Sequence, residues 1–206
     1  MWIPNVYFDG YFPQITENTH NIDTDKHPVG RFPTGDKYID KIMSRSKKNP
    51  DVEKILDTIC DENFIPPEEI QTTVDKSLNE LQYREKICDV YISDYIADNY
   101  RNEQIFFAKN HPYPMVAFEL VKRILKHLGH RSENFLNLPA WLDDKNFPYS
   151  LIGQDVPIYP AVKKFFKFEV SLEEYYANKY LWEFRGNFRD YMREYILQCW
   201  HEKFTR

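Results

Sequence analysis

From Tyr38 onward apolar side chains return every three or four residues in successive stretches, the spacing that gives a helix one buried face. A short helix is expected over Tyr38–Arg45. Asn49-Pro50-Asp51 then offers a capping side chain, a proline for the first turn and an acidic start for a helix reaching about Glu62. Pro66-Pro67-Glu68-Glu69 opens a longer helix, running to about Tyr100. Within it Val74, Leu78, Leu81, Glu85, Cys88, Ile92 and Tyr95 follow one another by alternating steps of four and three, which is one continuous seam. Glu85 is a carboxylate where that seam calls for a hydrophobe. It therefore requires a cation, a proton or a wet cleft, because burying an unpartnered ion is costly.

The period changes at Gln104–Lys109, where the run Ile-Phe-Phe-Ala reads as a buried strand. It ends at Asn110-His111-Pro112-Tyr113-Pro114. From Met115 the positions Ala117, Val121, Ile124 and Leu128 are helical again, closed by Gly129, so the stretch is a β-loop-α unit. Residues 130 to 170, with Pro139, Pro148, Pro157 and Pro160, read as irregular. Ser171 with Glu174 forms a capping box for a helix to about Phe184, and Phe188, Tyr191, Met192, Tyr195, Ile196 and Cys199 line a last one. The first 36 residues are punctuated by proline and glycine and read as an extended segment followed by ordered loops. The expected fold class is α/β and helix-rich, a small, partly parallel sheet remnant with long amphipathic helices, in a single domain over residues 1–206.

Composition narrows the function. A chain of 206 residues with 42% hydrophobic residues can fill a core. Its aromatic share of 17% suits either an aromatic-rich core or stacking on the rings of a ligand. A net charge of -5 argues against a nucleic-acid partner, which needs a clustered surplus of Lys and Arg. Two basic runs, Arg45 to Lys48 and Lys122 to Arg131, stand as anion sites or as solvated faces. Cys60, Cys88 and Cys199 are odd in number and far apart, the pattern of reduced thiols. No stretch reaches the roughly 18 apolar residues of a membrane span, and no leader is visible, so the expected compartment is the cytoplasm.

Asn110 and His111 lie where a strand hands over to a helix, a place where ligands commonly meet free helix amides. Histidine suits proton transfer near neutral pH, and an asparagine amide can donate to a developing oxyanion. The plainer reading is a histidine that caps the helix. His27, in a polar loop, is a weaker candidate for the same cleft. His127 and His130 straddle a helix end with no cysteine or carboxylate cluster beside them, so no metal site is expected. No glycine-rich phosphate loop and no Gly-x-Ser-x-Gly elbow is present.

Taken together, Pro4-Asn5-Val6-Tyr7-Phe8-Asp9-Gly10-Tyr11-Phe12-Pro13, Glu80-Leu81-Gln82-Tyr83-Arg84-Glu85, Phe106-Phe107-Ala108-Lys109-Asn110-His111-Pro112 and Asp155-Val156-Pro157-Ile158-Tyr159-Pro160 resemble the WcbI-type polysaccharide biosynthesis family of acetyltransferases. The resemblance implies an enzyme of capsule or surface-polysaccharide assembly that binds coenzyme A (as acetyl-CoA) and moves an acetyl group to a sugar hydroxyl. The implied acceptor is a glycan or sugar nucleotide, and a homo-oligomer is compatible with it. His111 and Asn110 take the catalytic places, as general base and oxyanion donor. Tyr11, Phe12, His27, Arg31, Arg84 and Glu85 are the implied cofactor contacts, with Arg84 or Arg31 on a phosphate. The chain matches the later, C-terminal part of the family's domain. The earlier part carries an Asn-Cys-Gln loop that none of the three cysteine contexts here reproduces. Two alternatives stay open: a non-catalytic binding module or inactive fragment of such an enzyme, and a sulfotransferase-like enzyme using an adenosine bisphosphate cofactor.

Overall fold

The computed structural model describes residues 1–16, 35–45, 50–130, 156–168, 176–178 and 184–204. The elements run β1 (Ile15–Thr16), β2 (Gly35–Asp36), α1 (Lys37–Arg45), α2 (Val52–Ile59), α3 (Pro67–Glu85), α4 (Ser93–Asn99), β3 (Phe106–Ala108), β4 (His111–Pro112), α5 (Pro114–His127), α6 (Pro160–Phe166), β5 (Tyr176–Asn178), β6 (Phe184–Gly186) and α7 (Phe188–Phe204). They fall into two compact units, Met1–Tyr11 with Glu68–Tyr149, and Phe12–Pro67 with Ser150–Arg206. The helix-rich α/β expectation holds. The small sheets differ from it: β1–β2, β3–β4 and β5–β6 are each antiparallel pairs, so among the described residues no strand pairing is parallel.

In the unit that starts at Met1, the amino-terminal segment is the core. Phe8 is sealed from solvent, with its ring centroid 4.9 Å from Tyr11, 5.5 Å from Tyr100 and 5.5 Å from Phe106. Backbone groups fix the segment: the Phe8 N–H donates to the Lys109 carbonyl at 2.9 Å and the Asp9 N–H to Ser77 Oγ at 2.9 Å. Gly10 is required by closeness, since a β-carbon there would come within 2.4 Å of Phe8 Cζ and 2.9 Å of Val74 Cγ2.

The long helix expected from Pro66 to Tyr100 is interrupted. α3 stops at Glu85, the chain turns through an exposed Ile87, and α4 starts at Ser93. Ile92, at the cap position of α4, has no polar side chain, and Glu85 supplies the acceptor instead. Its carboxylate takes the Ile92 N–H at 2.6 Å, the Ser93 N–H at 2.9 Å and the Ser93 hydroxyl. A seam carboxylate thus serves as a helix cap, favoured by the positive end of the α4 dipole.

In the other unit, β2 runs straight into α1, and Asp36 caps the helix by accepting from the N–H groups of Tyr38 at 2.9 Å and Ile39 at 3.1 Å. The Tyr159 hydroxyl donates to its second oxygen at 2.6 Å, and the Asp36 N–H donates to the Tyr195 hydroxyl at 2.9 Å. Burial raises the Asp36 carboxyl to about 6, against the pull of the Tyr159 bond. The cap of α2 is Asp51, expected as the acidic residue of its first turn, which accepts from the Lys54 N–H at 3.1 Å. Arg189 and Arg193 of α7 reach Glu53 of α2 at 2.8 and 3.1 Å.

Two further expectations fail here. Within the stretch read as irregular, Pro160 starts α6, which ends at Lys167 in the left-handed region at φ 59°. Where the capping box implied a helix to Phe184, Tyr176–Asn178 pairs with Phe184–Gly186. Tyr176 and Phe184 in these strands are aromatics, a residue type favoured in β-structure. Ser171 and Glu174 themselves lie outside the described residues.

Candidate functional site

β3 and β4 form a hairpin whose turn is Lys109-Asn110, with Phe106 opposite Pro112 and Ala108 opposite His111. The expected β-loop-α handover is therefore a strand, a tight turn and a return strand before α5. Phe106 and Phe107 turn into the core, and the Tyr113 N–H closes the hairpin on the Ile105 carbonyl at 2.9 Å. Asn110 is exposed at the turn and His111 is half-buried beside it.

The His111 ring leans on Phe107, 5.6 Å between centroids. Its Nδ1 is buried and has no hydrogen-bond partner. Burial lowers the imidazole pKa from its ordinary 6.5, because a second proton would place charge where water solvates it poorly. The ring is thus held neutral, the form that accepts a proton.

Arg84, near the end of α3, lies with its guanidinium carbon 5.3 Å from the Tyr7 ring centroid. It makes no ion pair among the described residues, and its Nε is buried without a partner. A hollow of about 430 Å³ borders it, lined also by Lys76, Asn79, Glu80 and Tyr83. A planar cation stacked on an aromatic ring and free of carboxylates is suited to a phosphate. The stacking partner, Tyr7, was missed by the sequence reading, although it sits inside the motif that pointed to Tyr11 and Phe12.

Those two aromatics are corrected. Tyr11 and Phe12 are 0% and 1% exposed and touch nothing that arrives from solvent. The Tyr11 hydroxyl donates toward the carbonyls of Tyr100 at 2.7 Å and Glu103 at 3.0 Å, which ties the amino-terminal segment to the end of α4. Glu85 is likewise 4% exposed and occupied as the cap of α4. His27 and Arg31 lie outside the described residues. Of the expected set, Asn110 and His111 stand together on the hairpin, and Arg84 stands on α3.

A family model described as polysaccharide biosynthesis enzyme WcbI matches residues 1–133. No curated protein matches the chain. Among solved structures the chain is similar to one described as WcbI, a novel polysaccharide biosynthesis enzyme, in its native form without a disulfide bond between coenzyme A and one of its cysteines. The TM-score is 0.69 at 20% identity, over 98% of this chain and 61% of that one. At that identity the likeness concerns the fold, and this chain spans less than two thirds of that protein's length.

Proposed function

The chain belongs to the family of WcbI polysaccharide biosynthesis enzymes, and from that premise we propose that it serves coenzyme A-dependent transfer of an acetyl or other acyl group to a sugar hydroxyl. What supports this reading best is His111, an imidazole kept neutral by burial, with an unpartnered Nδ1, next to the exposed amide of Asn110. The mention of coenzyme A in the description of the similar solved structure points the same way. When bound, the cofactor supplies an activated acyl carbon.

The roles of the chain's own residues follow from their chemistry. Arg84, stacked on Tyr7 and without a carboxylate partner among the described residues, holds a cofactor phosphate. His111 takes the proton of the sugar hydroxyl on Nε2, since Nδ1 is buried, and later returns it to the leaving sulfur. Asn110 donates its amide N–H to the oxygen that gains charge. His27 and Arg31 remain further cofactor contacts in this proposal, and capsular or surface polysaccharide and a cytoplasmic setting belong to it as well. Among the described residues no helix is long and apolar enough to cross a membrane.

Thermal shift with millimolar coenzyme A, paired with transfer of labelled acetyl to a sugar acceptor, tests the proposal. The expected result is stabilisation by the cofactor in wild type and His111→Gln alike, with transfer reduced about 10²–10⁴-fold in the variant. Absence of stabilisation, or transfer within a few fold of wild type, contradicts it.

A further inference from the structure

The first unit contains a larger hollow that the proposed chemistry does not use. It measures about 1100 Å³ and lies between the end of α3, the connection to α4 and one face of α5. That face is the stripe Glu119, Lys122, Arg123, Lys126 and His127, spaced three, one, three and one, so the polar side of α5 borders the hollow. Meanwhile Val121 of the same helix and Leu128 just after it are exposed.

Charge inside the hollow is unevenly engaged. Glu119 is held by Lys122 at 2.9 Å and by Arg123 at 2.9 Å, and Asp94 by Arg123 at 2.5 Å. The Trp2 N–H occupies Asp89 at 2.6 Å, and the start of α4 occupies Glu85. Every lining carboxylate thus has a donor. Lys86 and Lys126, by contrast, have no carboxylate partner among the described residues, and neither has His127; Lys86 meets only the ring of Tyr83, 5.2 Å away. The lining carries four Lys or Arg and four carboxylates, so its formal charge balances, yet Glu85 and Asp89 are held by backbone N–H groups and the Lys86 and Lys126 amines are left without a carboxylate among the described residues.

The surroundings are also fixed in place. Arg123 is anchored by three acceptors, the third being the Tyr91 carbonyl at 3.0 Å, which joins α5 to the α3–α4 connection across the hollow. Tyr91 itself is 53% exposed at the rim, a free ring face for a planar group.

We propose that this hollow binds the diphosphate of a nucleotide-bearing ligand, with Lys86 and Lys126 on the phosphate oxygens, His127 as a further donor and Tyr91 beneath the base. Its volume accommodates a nucleoside-diphosphate sugar, the class from which a sugar hydroxyl would be presented. Only that identification of the ligand as acceptor rests on the acyl-transfer reading; the diphosphate site rests on the two amines without a carboxylate among the described residues and on the exposed Tyr91 at the same hollow.

The test is calorimetric titration of the full chain at low salt with inorganic pyrophosphate, UDP, GDP and coenzyme A. The variants are Lys86→Ser/Lys126→Ser and a control of equal charge change at residues that do not line the hollow, Lys41→Ser/Lys54→Ser, each confirmed folded by circular dichroism. Pyrophosphate and nucleoside diphosphate affinity should fall by about ten-fold or more in the first pair and stay within about two-fold in the control and in His111→Gln. Competition separates the sources: displacement of pyrophosphate by UDP or GDP alone assigns the site to a nucleotide acceptor, and displacement by coenzyme A assigns it to the cofactor's own diphosphate. Absence of pyrophosphate binding at millimolar concentration, or equal losses in the two double variants, overturns the proposal. Retained diphosphate binding in a chain that fails to transfer acetyl would sink the catalytic reading and leave the hollow standing.

Discussion

Single residues carry the chemistry through their surroundings. His111 combines a buried, unpartnered nitrogen with a depressed pKa, so as a base it stays competent below the usual histidine range. The acidic limb of a pH profile for kcat/KM should therefore have its midpoint below 6.5, and a midpoint above it would argue against this imidazole. Asp36 gives the opposite case in stability. Its folded pKa of about 6 lies above the ordinary 3.8, so between those values the folded state binds the proton more tightly than the unfolded chain. Stability from this group is full below 3.8 and is lost as pH rises through 6, by about 3 kcal/mol in all. Asp36→Asn keeps a capping oxygen, and its unfolding free energy should lack that fall between pH 4 and 6 when compared with wild type by urea titration. At this scale the sequence was partly legible. The Asn110-His111 pair was visible as chemistry at a junction, whereas the burial of Tyr11 and Phe12 was not, because an aromatic motif reads the same whether it faces a ligand or a core.

Elements show where local pattern misleads. The seam from Val74 to Tyr95 is regular enough for one helix, yet the chain breaks at Glu85, since this carboxylate caps the next helix better than it sits buried in a continuing one. The clues were present in Val90-Tyr91-Ile92, a β-branched and aromatic run, followed by Ser93-Asp94, residues common at helix starts. Removing that cap with Glu85→Ala should cost about 2–4 kcal/mol in chemical denaturation, and Glu85→Gln, which keeps one acceptor, clearly less. Equal small effects of under about 0.5 kcal/mol would show that α4 does not depend on this carboxylate. The amino-terminal segment makes a comparable demand at Gly10. Gly10→Ala places a methyl against Phe8 and Val74 at 2.4 and 2.9 Å, and should lower stability by about 1–3 kcal/mol or more, read as an earlier denaturation midpoint. The bounds of α1 and α5 were legible to within a residue or two, whereas α2 ends at Ile59 rather than near Glu62. The β5–β6 pair and α6 were not legible, since three-residue strands and a helix of seven residues leave little periodicity to read.

For the molecule as a whole, the aromatic content finds its main use in packing: Phe8, Tyr11, Phe12, Phe106 and Tyr159 are all fully buried. The family was legible because its segments are built around that packing, and the matched residues, 1–133, include the hairpin, α3 and α5. The charge distribution was only half legible. The run Lys122 to Arg131 stood out in the sequence, but the distinction between amines engaged by Glu119 and amines left without a carboxylate needed the fold. The central claim, that His111 works on an acyl thioester, is met most directly by a crystal structure with bound acetyl-coenzyme A. The account predicts the thioester carbon within about 4 Å of where a sugar hydroxyl bonded to the His111 ring would sit, with Arg84 on a cofactor phosphate. A thioester end lodged away from the hairpin, with His111 still packed only on Phe107, would contradict it.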